Sequence, residues 1–189
     1  MNMMIDIDNT LEDFFSAAIP MLNHIFKMDI SLQEAHQHYD LSNLYGIPED
    51  NLERLLFTLA QEIYAPPPLF LPGAVEFLEY ALEAGVQVEL CTHRNTFAYS
   101  VAQSFYFTKW GLLVHQMNPQ ERYEYCRLIG ADILLDDSPA ILNKWLTTPT
   151  DTQLWLLAYP YNSNHPHRRN IRRFANLADA AYALANCLK

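Results

Sequence analysis

Apolar positions along the chain follow two different periods. Residues 3–7 form a short, mainly apolar run that ends in Asp8-Asn9-Thr10, the pattern of a buried strand entering a polar loop. From Leu11 the period lengthens. Leu11, Phe14, Phe15, Ala18, Met21, Leu22, Ile25 and Phe26 recur every three or four residues, which predicts a helix that Pro20 either kinks or breaks. Ser31, with Glu34 three positions on, forms a capping-box pattern and opens another helix, and residues 48–64 carry further helical spacing. Ala65-Pro66-Pro67-Pro68 and Pro72-Gly73 punctuate the chain, after which 74–84 reads as helix with Gly85 as its C-cap.

Beyond this point short apolar strands alternate with helices. Strands are expected at 86–91, 112–115, 133–135 and 153–158, and helices at 96–109, 119–129, 139–145 and 175–188. Such an order implies an α/β fold, a Rossmann-like parallel sheet with helices on both faces. The helical block of about 14–70 interrupts the alternation. It reads as a small all-helical cap inserted after the first strand, with 1–13 and 71–189 forming the core domain.

Length and composition narrow the picture. A chain of 189 residues, half of them hydrophobic, suits one core with a small insert. Twelve basic against 22 acidic side chains give a net charge of −10, which disfavours polymeric nucleic acid and anionic membranes as partners. Local cations would still suit a small phosphorylated substrate. Cys91, Cys126 and Cys187 are odd in number and widely spaced, which argues against a disulfide framework or a zinc site and fits a reducing cytoplasm. The first residues, MNMMIDID, place two carboxylates where an export signal needs basic and then apolar residues, and the longest apolar runs are too short to span a bilayer. A cytoplasmic location is therefore expected. Nothing in the pattern speaks to oligomeric state.

Ligands of parallel sheets bind beyond the carboxyl ends of the strands. Asp6, Asp8, Thr92, Asp136 and Asp137 all fall at such ends. Alone, Asp6 and Asp8 read as readily as a turn or helix cap as they do as an active site. Together with Asp136 and Asp137 they would repel one another unless a cation held them, and a hard divalent cation with oxygen ligands is the natural solution.

Asp6-Ile7-Asp8-Asn9-Thr10, Thr92 after an apolar strand, and Asp136-Asp137 after another resemble, in order and placement, the three motifs of the haloacid dehalogenase superfamily. The resemblance implies a Mg²⁺-dependent phosphomonoesterase in which Asp6 is the nucleophile and forms an aspartyl-phosphate, and Asp8 is the acid/base. It implies that Thr92 hydrogen-bonds a phosphoryl oxygen, and that Asp136, Asp137, Asp6 and the backbone carbonyl of Asp8 hold the metal. The family also carries a lysine between the second and third motifs. The corresponding spacing reaches Arg122, which keeps the charge with a different reach and geometry. A surface arginine paired with Glu121 or Glu124 is the alternative reading, with Lys109 or Arg94 supplying the charge instead.

Asp6 to Phe14 as DIDNTLEDF, Pro72-Gly73-Ala74 before a helix, Leu90-Cys91-Thr92, and Tyr159-Pro160-Tyr161-Asn162 are further similar to the 5'(3')-deoxyribonucleotidases. Asn9 stands where glycine is common in that family, and Thr92-His93-Arg94 departs from its usual continuation. This narrower likeness implies a nucleoside monophosphate as substrate. Another small phosphate ester, such as a sugar phosphate or phosphoglycolate, and a non-catalytic binding protein are the alternatives. Phe14, Phe15, Tyr39, Tyr45 and Tyr64 are the candidate stacking residues, Phe14 foremost because it lies nearest the catalytic loop, and His93 and Arg94 are placed to touch phosphate or substrate. His36 and His38 read as surface residues, and the basic stretch His165 to Arg169 with Arg172 and Arg173 as a solvated loop and helix start.

Overall fold

A computed structural model describes residues 1–63, 67–164 and 168–188. In chain order the elements are β1 (Asn2–Asp6), α1 (Phe14–Phe26), α2 (Leu32–Ala35), α3 (Leu41–Tyr45), α4 (Glu49–Ile63), α5 (Ala74–Glu83), β2 (Gln87–Thr92), α6 (Thr96–Trp110), β3 (Val114–Gln116), α7 (Pro119–Ile129), β4 (Ile133–Asp136), α8 (Pro139–Thr147), β5 (Gln153–Leu157), β6 (Ile171–Phe174) and α9 (Leu177–Cys187). The six strands form one sheet in the order β3-β2-β1-β4-β5-β6, every pair parallel. The fold is the expected α/β, Rossmann-like arrangement. Strand order reverses direction at the β1/β4 boundary, where a crevice opens at the carboxyl edge.

Strand side chains alternate between two cores. Met3 and Ile5 of β1 pack with Phe77, Tyr106 and Leu184, from α5, α6 and α9. Met4 points the other way, to Tyr123, Cys126 and Trp145 of α7 and α8. Both faces are thus covered, which explains why these strands read as continuous apolar runs. A third cluster, with Phe15, Ile19, Leu22, Leu41, Tyr45 and Leu52, belongs to α1 to α4.

Three expectations need correction. Residues 11–13 do not begin the first helix: the Leu11 and Glu12 amides donate to the Ile7 carbonyl, and Asp13 caps α1 by accepting from the Ser16 amide. The helix then runs through Pro20, which lies on its exposed face, where a carbonyl deprived of its donor can be hydrated. Residues 171–174 are a strand rather than the approach to a helix. Only Phe174 of β6 is fully buried. Arg172 stacks over the Trp155 and Phe174 rings and Arg173 bonds Asn162, so charge marks an edge strand. His36 is half-buried, its ring 5.5 Å from Phe15 and 5.3 Å from Tyr159, because its apolar ring faces fill a gap between aromatics. Tyr64 and His165 to His167 lie outside the described residues. No helix among the described residues is long and apolar enough to cross a membrane.

Candidate active site

Parallel pairing brings the ends of β1, β2 and β4 side by side, Asp6 opposite Cys91 and Ile5 opposite Leu135. Asp6, Asp136 and Asp137 each turn a carboxylate oxygen to a point where all three lie within 4.8 Å of one another. All three are buried. Local structure aims each of them. Asp136 accepts from the Ser138 amide at 2.8 Å as Ser138 caps α8. Asp137 accepts from the Thr10 hydroxyl at 3.2 Å and from the Tyr161 hydroxyl, and Asn162 donates to its carbonyl at 2.8 Å.

Among the described residues one guanidinium faces this cluster. Arg122 lies in the first turns of α7 and is 3% exposed; its Nη1 lies 2.9 Å from Asp6 and donates to Asp136. The surface alternative is ruled out, because Glu121 closes a capping box with Asn118 and Glu124 accepts from Gln120. Lys109 is also elsewhere, 4.2 Å over the Trp110 ring. With three buried carboxylates against one cation, burial and then the neighbouring Asp136 hold Asp137 up to about 7, and burial raises Asp6 well above the usual carboxylate range against the pull of Arg122. Such a site carries surplus negative charge and offers hard oxygen donors, which fits a divalent cation such as Mg²⁺. Asp6, Asp136 and Asp137 would hold it.

Asp8 lies outside this cluster. Its carboxylate receives Arg94 Nε at 2.9 Å and Nη2 at 2.7 Å, and the Thr92 hydroxyl at 3.2 Å. Arg94 Nη2 also bonds Glu12, whose other oxygen accepts from Tyr106 at 2.9 Å. Thr92 is fully buried, and its oxygen accepts from the Arg94 amide at 3.1 Å. Asn9 shapes the loop that follows the two aspartates. Its φ is +54°, a left-handed conformation that asparagine tolerates, and its side-chain oxygen accepts from the Phe15 amide.

A cleft of about 310 Å³ opens above these groups. Asp6, Asp8, His93, Arg94, Arg122 and Asp137 line its floor, and Phe14, Phe15, Tyr39, Leu41, Leu52 and Leu56 its opposite wall. Tyr45 is not among them; it is buried against Phe26. A larger hollow of about 800 Å³, near Met1, Asp132 and Thr152, lies at the other end of the strands, away from every candidate residue. Of the polar contacts here, Glu12 and Tyr106 escape sequence reasoning. Glu12 reads as a polar residue opening a helix, and Tyr106 as one more aromatic of an apolar stripe. Their partnership spans 94 positions.

No family model and no curated protein matches the sequence. Solved structures do. A proposed phosphoglycolate phosphatase from Lactobacillus delbrueckii subsp. bulgaricus superposes with a TM-score of 0.68 at 13% identity over 97% of both chains. A proposed β-phosphoglucomutase from Thermotoga maritima gives 0.60 at 11% identity over 98% of both. A haloacid dehalogenase-superfamily hydrolase from Ehrlichia chaffeensis gives 0.56 at 12% identity, over all of this chain and 97% of the other. The superpositions run nearly end to end, and this chain has the α/β fold of the haloacid dehalogenase-type hydrolases.

Proposed function

We propose that this protein is a Mg²⁺-dependent phosphomonoesterase that works through an aspartyl-phosphate on Asp6. The observation that carries the reading is the convergence of Asp6, Asp136 and Asp137 at the strand-order reversal, with Asp6 and Asp137 on the floor of a cleft that Asp8 also lines. In the first step an Asp6 oxygen attacks phosphorus, the ester P–O bond breaks, and the Asp8 carboxyl gives its proton to the leaving oxygen. In the second, Asp8 takes a proton from water, whose oxygen attacks phosphorus and frees inorganic phosphate and the Asp6 carboxylate. Bound Mg²⁺, held also by the Asp8 backbone carbonyl, would neutralise charge on the phosphoryl oxygens.

Arg122 offsets the charge of the nucleophile. Its Nε is buried without a hydrogen-bond partner, a donor that a phosphoryl oxygen would satisfy. Thr92 contacts the phosphoryl group once Asp8 turns toward the leaving oxygen. Residues 14–70 serve as the specificity cap, since α1 to α4 form their own core and supply the far wall of the cleft. That wall bears apolar and aromatic side chains with Asp40 and Glu53 as its charged groups, while both arginines of the cleft already face carboxylates. The leaving group is therefore uncharged. A sugar phosphate fits this better than phosphoglycolate, whose carboxylate would face Asp40 and Glu53. A nucleoside monophosphate is a second reading, favoured by the Phe14, Phe15 and Tyr39 rings, with His93 also lining the cleft.

A phosphate-release panel tests this. Sugar phosphates and nucleoside monophosphates should be hydrolysed with Mg²⁺, not with chelator, and faster than phosphoglycolate. Asp6→Asn should abolish turnover while keeping a cooperative melt. Full activity in that variant would sink the nucleophile assignment, and fastest release from phosphoglycolate would sink the substrate assignment.

A further inference from the structure

A second buried acid stands behind the proposed acid/base. Glu12 is 5% exposed, Arg94 6% and Tyr106 fully buried, and they form one chain of hydrogen bonds: Tyr106 hydroxyl to Glu12, Arg94 Nη2 to Glu12, and Arg94 Nε and Nη2 to Asp8. Asp8 is its solvent-facing end, with a quarter of its side chain exposed to the cleft. Every inner member is anchored. The Glu12 amide donates to the Ile7 carbonyl at 2.9 Å, and the Glu12 carbonyl accepts from the Asn9 amide at 2.7 Å. The Arg94 carbonyl accepts from Gln116 at 2.8 Å, and the Tyr106 ring stacks on Trp110.

The geometry points to Glu12 and Tyr106 as positioning residues that fix the Arg94 guanidinium, and through it the carboxylate of Asp8, against the leaving-group side of the cleft. An arginine has several rotatable bonds, and without a second carboxylate its fork would follow Asp8 rather than hold it. With Glu12 fixed to the loop and capped by Tyr106, the guanidinium plane is set before substrate arrives. Glu12 itself is absent from the lining of the cleft and from the Asp6, Asp136, Asp137 cluster, so it reaches Asp8 through Arg94.

This inference rests on the acid/base reading of Asp8, and a double-mutant cycle separates the two. Steady-state hydrolysis of an alkyl phosphate, whose leaving oxygen needs a proton, is measured with Mg²⁺ for wild type, Asp8→Asn, Glu12→Gln, Tyr106→Phe and Glu12→Gln/Asp8→Asn. Asp8→Asn should cost about a hundredfold or more in kcat. Glu12→Gln should cost about tenfold in kcat with KM unchanged, as expected for a misaligned proton donor, and Tyr106→Phe should show a smaller loss of the same kind. In the Asp8→Asn background Glu12→Gln should add nothing, because it acts through the group already removed. Additive losses, or full activity in both Glu12→Gln and Tyr106→Phe, would overturn the positioning role while leaving the Asp8 assignment intact. An Asp8→Asn variant with wild-type turnover would instead overturn that assignment, and this inference with it. Should Glu12→Gln fail to fold, Tyr106→Phe alone and with Asp8→Asn decides the same question, since it removes a single hydroxyl.

Discussion

Replacing Arg122 with methionine removes the guanidinium that bridges Asp6 and Asp136. Its Nη1 lies 2.9 Å from one carboxylate and is bonded to the other, and all three side chains are buried. Deleting one partner of a buried ion pair costs about 3–5 kcal/mol, because the remaining charges have lost both water and partner. In a domain of this size each kcal/mol shifts Tm by about 2–4 °C, so the metal-free variant should melt about 6–20 °C below wild type near pH 8.

The deficit should depend on pH with a definite sign. Asp137 is held up to about 7 and Asp6 is also raised, so in the metal-free protein both have folded values above their unfolded ones. The stability they contribute is complete below the unfolded carboxylate range and is lost as pH rises through the folded values, for Asp137 between about 4 and about 7. Arg122 pulls Asp6 down, and its removal raises Asp6 further. At about pH 5 Asp6 and Asp137 of the Arg122→Met variant keep their protons, and the deficit should narrow. Millimolar Mg²⁺ near pH 8 should also narrow it, by supplying the missing charge. Calorimetric melts at both pH values, with and without Mg²⁺, read this directly. A Tm deficit that is the same at both pH values and indifferent to Mg²⁺ would show that Arg122 acts by packing alone.

Three other outcomes follow from the same geometry. In wild type, the Tm gain from Mg²⁺ should be larger near pH 8 than near pH 5, because protons and metal compete for Asp6 and Asp137; a constant gain would place the ion elsewhere. Tyr161→Phe removes a hydrogen bond to Asp137 and should raise the Mg²⁺ concentration for half-maximal activity about tenfold, as read from a metal titration. Asn9→Gly keeps the left-handed turn and loses one hydrogen bond, about 1 kcal/mol, whereas Asn9→Val loses both and should cost about 2–3 kcal/mol in urea unfolding.

What the sequence discloses follows from where its information is local. Residues 133–135 and 153–158 read as strands because a parallel sheet covered on both faces needs unbroken apolar runs. Asp6, Asp8, Thr92 and Asp136 could be brought together on paper because parallel topology sends strand ends to one edge. Arg122 was reachable through the family resemblance, since the spacing of that family's lysine, counted back from Asp136, ends on it. Local signals mislead where tertiary packing decides. The two arginines of β6 look like a solvated loop until the Trp155 ring is placed beneath Arg172. His36 looks like surface until Phe15 and Tyr159 flank it. Glu12 gives no sign of burial, because its partners come from the second half of the chain.

The arginines also divide the labour of the edge. Among the described residues five acidic side chains meet there, Asp6, Asp8, Glu12, Asp136 and Asp137, and two guanidinium groups answer them. Arg94 is shared by Asp8 and Glu12, and Arg122 by Asp6 and Asp136. The pairing leaves Asp137 with hydroxyl donors from Thr10 and Tyr161 but no cation. It is also the carboxylate whose ionisation is pushed to about 7. The larger charge deficit therefore lies on the β4 side of the crevice, where three carboxylates face Arg122 and where Asp6 and Asp137 would hold a divalent ion. On the β2 side Arg94 faces two carboxylates, Asp8 and Glu12. Under the proposed mechanism that asymmetry would let two aspartates separated by a single residue take different roles: Asp6 beside the metal as the nucleophile, the Asp8 side chain apart from it as a proton carrier.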